Sequence, residues 1–281
     1  MNRIDASLLR DVLHSTESSE DADRGETAKG PVASQQNVGS QQNAASEQVD
    51  ALRAHTVFVP MHYEPNYQYP LLVWLHSDGF NENQVCHVIP HISTRNYLAV
   101  GVRATQATDA AGHRFRWHES GSGLAAAERG VWDAIERARE EYNVHSDRIV
   151  LAGYQRGGAM ALRIALRHPD FFSAAISLGG NLGSLCSMGL DVNQLRERRL
   201  PMLWQWSLQS STYDEARLVE EIKSAMDLRA RLEIRQYRND DEMNTAVLSD
   251  LNQWIMNHVV SGAPVGKMGQ WDSSPVSFSE N

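Results

Sequence analysis

The chain has 281 residues, 42% of them hydrophobic, which suits one large mixed domain or two small ones and excludes a wholly disordered protein. Its formal net charge is −9 and no block of Lys and Arg stands out, which argues against nucleic acid and anionic membrane as partners. Its two cysteines, Cys86 and Cys186, are far apart and read as reduced thiols rather than a disulfide framework.

Residues 1–50 make a poor core. The stretch from Ser15 to Ser46 is rich in Ser, Glu, Gln, Asn and Ala and nearly free of aliphatic and aromatic side chains. It cannot bury enough apolar surface to offset its ordering entropy, so a disordered arm is expected. Ile4, Leu8, Leu9, Val12 and Leu13 could form one short amphipathic helix within it, prone to fraying. Met1 to Arg10 carries charges where a signal peptide needs an apolar core, and no run approaches transmembrane length. A cytoplasmic location is the expectation.

The pattern changes at Ala51. Strands are expected at Arg53–Pro60, Tyr69–His76, Tyr97–Arg103, Asp147–Ala152, Phe172–Leu178, Met202–Trp206 and Leu232–Tyr237. Several are nearly continuous apolar runs, as strands covered on both faces are. A hairpin is plausible at the start. Helices are expected at Glu82–His91, at Gly157–His168, and wherever apolar residues recur every three or four positions. Leu124, Val131, Ile135 and Tyr142 mark one such face, Leu218, Ile222 and Met226 another, and Leu248, Leu251, Ile255 and Val259 the last. Thr105–Ser122 reads as a long polar loop and Asn181–Arg199 as irregular. From Gly262 onward the prolines and serines read as a tail. The division is thus 1–50, arm; 51–261, one α/β domain; 262–281, tail. Alternating strands and helices imply a mostly parallel central sheet with helices on both faces. Ligands bind such sheets at the carboxyl ends of the strands, so the loops after Leu75, Arg103, Gly153, Leu178, Trp206 and Tyr237 should share one rim.

The segment Gly153-Tyr154-Gln155-Arg156-Gly157-Gly158 lies between a strand and a helix, the context of a G-x-S-x-G nucleophile elbow with glutamine in the serine's place. With the stretches Leu71–Gly79, Asp147–Gly158, Ala174–Gly180 and Leu248–Met256, in this order and spacing, the chain resembles the α/β-hydrolase superfamily. Within it, the chain looks most like bacterial phospholipase/carboxylesterase and feruloyl-esterase-type proteins. The resemblance implies a serine nucleophile, then an acid, then a histidine, with two backbone N–H groups as oxyanion hole. It puts Gln155 in the nucleophile slot and Asp241 in the histidine slot, with Ser210 or Asp214 near the acid slot. It places the oxyanion donors at Arg156 and in the Asp78–Phe80 loop, giving a pocket of Asp78, Gly79, Phe80, Tyr154, Gln155 and Arg156. A carboxamide is a poor nucleophile, and a carboxylate near neutral pH is a weak base for an alcohol. Asp214 also reads as a helix-start residue, and Asp241 as part of an exposed acidic turn.

Three readings follow: a pseudo-hydrolase that binds a ligand or a partner, a working hydrolase with a non-standard residue set, or a structural subunit paired with an active relative. A small acyl or carboxylate ligand, a homodimer, or a heterodimer with a related hydrolase are the candidate partners. No cofactor is expected. His76, Asp78, His113, His118, Glu119, Asp240 and Asp241 match no metal-ligand spacing and read as solvated loop residues or, for His76, as a strand position. Ser77 or Ser122 could be a relocated nucleophile, with nothing in the sequence placing a base beside either. Core packing accounts for Trp74, Trp204 and Trp206.

Overall fold

The computed structural model describes residues 2–4, 54–183, 189–209, 214–238 and 243–261. Its centre is an eight-stranded sheet. The strands are β1 (Asn2–Ile4), β2 (His55–Phe58), β3 (Tyr69–Leu75), β4 (Leu98–Val102), β7 (Val144–Tyr154), β8 (Ala174–Leu178), β9 (Pro201–Ser207) and β10 (Arg231–Tyr237). They run in the order β1-β10-β9-β8-β7-β3-β4-β2. Every pairing from β10 across to β4 is parallel, and the two edge strands β1 and β2 are antiparallel to their neighbours. Every residue of β3, β4, β8 and β9 is buried, which the apolar runs in the sequence dictate.

Side chains alternate between the faces, so each strand feeds two cores. Leu71, Val73 and Leu75 of β3 face the layer of α2 (Gly121–Glu141), α3 (Arg156–Arg167), α4 (Val192–Arg198) and α5 (Glu215–Asp227). Leu72 and Trp74 face α1 (Gln84–Ile92) and α6 (Thr245–Ile255). Burying one such Leu, Val or Ile contributes on the order of 1.5–3 kcal/mol, so the two layers together supply the main drive for folding.

Five features differ from expectation. β2 does not form a hairpin with β3. It pairs with β4 instead, because β3 already has β4 and β7 on its two sides. Asn2–Ile4 is a strand on β10 rather than a helical turn. The loop before α2 contains a two-stranded ribbon, β5 (Gln106–Ala107) and β6 (Phe115–Arg116). Asp109 closes it by accepting from the His113 and Arg114 N–H groups, and Phe115 and Trp117 are buried beneath it. In the segment read as irregular, Asp191 caps the short helix α4 by accepting from the Asn193 and Gln194 N–H groups. The last helix changes to π-helical winding over Met256–Val260. No helix among the described residues is long and apolar enough to cross a membrane.

Candidate functional site

β7 is buried from Ile149 to Gly153, the chain reverses at Gln155, and α3 starts at Arg156. Gln155 has φ +49° and ψ −117°, a conformation L-residues rarely adopt, which costs on the order of 1–3 kcal/mol. Close packing holds it there. A Cβ on Gly157 would lie 2.1 Å from the Leu75 carbonyl oxygen, one on Gly153 2.5 Å from Gly157 backbone, and one on Gly180 2.1 Å from the Gln155 oxygen. The Gln155 N–H donates to the Leu178 carbonyl (2.7 Å), and its carbonyl accepts from the Ala159 N–H (3.0 Å). The elbow is therefore intact as backbone. At its tip the Gln155 carboxamide donates from Nε2 to the Tyr154 hydroxyl (3.1 Å).

Above the tip lies a cleft of about 180 Å³. Asp78 comes to it from the loop after β3, Glu119 from the turn before α2, Gln155 and Arg156 from the elbow, Asn181 from the loop after β8, and Trp206 from β9. The expectation of a shared rim therefore holds for the loops after β3, β4, β7 and β8.

Charges close its side. Arg156 Nε pairs with Asp78 at 2.8 Å, and Arg156 Nη1 donates to Glu119 Oε1. Glu119 Oε2 accepts from both terminal nitrogens of Arg163 at 3.2 Å, while Arg163 Nε donates to the Leu182 carbonyl at 2.9 Å. Arg163 is 7% exposed. On the far side of that peptide, buried Glu221 accepts from the N–H groups of Leu182 (2.8 Å) and Gly183 (3.0 Å) and pairs with Arg217.

The expected site residues distribute unevenly. Asp78, Gln155 and Arg156 line the cleft. The Gly79 N–H donates to the Phe115 carbonyl (2.8 Å) and the Phe80 N–H to Ser77 (3.2 Å), so both are engaged within the fold. The Phe80 side chain is exposed. Arg156 opens α3, and an N–H in a helix's first turn has no partner within the helix, which leaves this one suited to an oxyanion. Asp214 is the N-cap of α5, accepting from the Arg217 N–H, which matches its helix-start reading. Ser210 and Asp241, with Asp240 and Glu242, lie outside the described residues.

His76 is fully buried. Its Nδ1–H donates to the Ser77 carbonyl (2.7 Å), and its Nε2 accepts from the Ala104 N–H (3.0 Å). Both nitrogens thus serve the fold, and burial holds its pKa below the ordinary 6.5. Ser77 is tied to Gln84. His118 Nδ1 lies 2.9 Å from the Ser120 hydroxyl, which lies 3.0 Å from that of Ser122, so Ser122 meets an imidazole only through Ser120. Neither serine lines the cleft. Among the described residues no group of three or more His, Cys, Asp or Glu is placed to hold a metal ion.

The chain order of the family's triad demands a histidine after the elbow. Only His168 and His258 follow it in the sequence. His168 pairs with Glu128 and packs edge-on against Trp132, while His258 lies beside Trp254 and Glu233, so neither reaches the cleft. From the sequence Glu119 read as a solvated loop residue, and Arg163 and Asn181 were not singled out. One signal was available, because Arg156 and Arg163 are seven residues apart and share a helix face.

The family model named Esterase matches residues 134–253. YahD, solved with malic acid, is 15% identical at a TM-score of 0.56, covering 72% of this chain and 98% of its own. The Bacillus cereus carboxylesterase is 15% identical at 0.55, covering 75% and 97%. FphF, a fluorophosphonate-binding serine hydrolase of Staphylococcus aureus solved with substrate bound, is 15% identical at 0.53, covering 72% and 92%. No curated protein matches the chain at a significant level. With the sheet order, the elbow and these likenesses together, the chain has the α/β-hydrolase fold, and its residues 134–253 carry the sequence pattern of the esterase family.

Proposed function

We propose that this esterase-like protein does not carry out serine hydrolysis and uses the cleft over its elbow to bind a small acyl or carboxylate ligand. The observation that carries the reading is Gln155 at the elbow tip, facing a cleft whose described lining supplies no serine, cysteine or histidine. A carboxamide cannot form the usual acyl-enzyme, and with the cleft carboxylates Asp78 and Glu119 both paired to arginines, even a restored hydroxyl would stay protonated. Triad members act as a unit, so what survives is the oxyanion donor at the Arg156 N–H and the binding cleft.

The test uses the full chain with a fluorophosphonate probe and a short-chain nitrophenyl ester. The protein is expected to take no label and to show no turnover above buffer. Labelling and turnover, both abolished by one substitution, would overturn the reading and establish a hydrolase with a non-standard residue set. Gln155→Ser is expected to remain inactive. A rate well above the parent's would show that Asp241 or another residue already serves as base.

A further inference from the structure

Glu119 sits between two guanidinium groups, with one oxygen on Arg156 and the other on Arg163. Both arginines project from α3, seven residues apart, and Asp78 fixes the Arg156 plane by holding its Nε. The two are unequal. Arg163 is nearly buried, while Arg156 and Glu119 have side chains 43% and 39% exposed and line the cleft. Glu119 immediately precedes Ser120, the N-cap of α2, whose hydroxyl accepts from the Gly123 N–H. Rotation of the Glu119 side chain can therefore release the arginines without disturbing the helix start.

We infer that Glu119 is an internal stand-in for a ligand carboxylate, and that the cleft binds small monocarboxylates by exchanging them for Glu119 on the Arg156–Arg163 pair. This rests on the binding function proposed above and names its ligand class. The chemistry selects the class. A neutral ligand that displaced Glu119 would leave the buried Arg163 charge unmatched, which is strongly unfavourable. A planar carboxylate replaces both oxygens of Glu119 and restores the charge. A doubly charged anion would bring excess charge beside Asp78. The cleft has room for about six waters' worth of volume, which limits the ligand to a small acid whose apolar part meets Ala159 and Trp206. Glu119 itself is the competitor. Its contact with the exposed Arg156 is weak, and an incoming carboxylate keeps the Arg163 charge matched through the exchange, so exchange is accessible and the unliganded protein carries a built-in brake on affinity.

The experiment is calorimetric titration of the full chain with phenylacetate, with phenylacetamide as the neutral control. The parent is expected to bind phenylacetate weakly and the amide not at all. Glu119→Gln removes the competing charge and is expected to bind phenylacetate about five- to tenfold more tightly. Glu119→Asp keeps the charge but shortens its reach, and it is expected to bind phenylacetate more tightly than the parent, which keeps the test readable if Glu119→Gln does not fold. Arg156→Gln is expected to lose binding. Equal phenylacetate affinity in the parent and all three variants would overturn the stand-in role of Glu119 while leaving carboxylate binding intact. No binding in the parent or in folded Glu119 variants would overturn the ligand class itself. Neither result bears on the fluorophosphonate assay, so failure here is distinct from failure of the non-hydrolytic reading.

Discussion

A glutamine at φ +49° is an expensive choice where no nucleophile is being presented. The surrounding glycines explain why the conformation persists. Gly157 and Gly180 bring backbone so close that the turn has no room to relax, so packing imposes the geometry whatever side chain stands at the tip. Gln155→Gly should therefore relieve strain and raise stability by about 1 kcal/mol, after allowance for glycine's greater freedom in the unfolded chain. Urea denaturation measures it, and an unchanged or lower midpoint would mean that the turn is unstrained. Gln155 was legible from sequence because the elbow is a local motif. The role of Glu119 was not, because its partners Arg156 and Arg163 lie 37 and 44 residues away and only the fold brings them together.

The end of β3 and the start of α1 are joined by buried polar groups whose protonation matters. Trp74 Nε1 and the Ser77 N–H both donate to Gln84 Oε1, and His76 is held neutral between the Ser77 carbonyl and the Ala104 N–H. Burial is the chief cause of the low His76 pKa, outweighing the Ser77 hydrogen bond and nearby Glu82 and Asp78, which favour the charged form. As pH falls below about 6.5 the unfolded chain takes up this proton before the folded one does. The stability that neutral His76 supplies is thus complete above that pH and is lost as pH falls toward the lowered folded value. Urea midpoints taken from about pH 7.5 down to about pH 5.5 should fall, and His76→Gln, though less stable at neutral pH, should show a shallower fall. An equal slope in both proteins would assign the dependence to other histidines. The strands of this region were plain in the sequence, because continuous apolar runs have few alternatives. The β5–β6 ribbon and α4 escaped notice because elements of two and seven residues are too short to establish a period, and they depend on Asp109 and Asp191 for their ends.

Across the molecule, the cleft walls are held by polar contacts that cross from layer to layer. The Leu182 peptide is gripped at its carbonyl by Arg163 and at its N–H by Glu221, so α3 and α5 fix the loop that carries Asn181 to the rim. Arg163 in turn is neutralised by Glu119, at the side of the cleft. The mostly parallel sheet and the position of the rim could be read from the alternation of strands and helices, whereas the strand order and this cross-layer web could not, since no periodicity records them. The web should couple Glu119 and Glu221 energetically although they do not touch. Glu221→Gln should destabilise the protein by about 1–3 kcal/mol, because a carboxylate accepting two buried N–H groups is replaced by an amide that presents a donor to one of them. Glu119→Ala frees Arg163 to shift and loosens the same peptide from its other side. The double variant should then lose less than the sum of the two single losses, by about 0.5–1 kcal/mol, where independent sites would add to within about 0.3–0.5 kcal/mol. Urea unfolding of the four proteins completes the cycle, and strict additivity would mean that the two walls of the cleft are built separately.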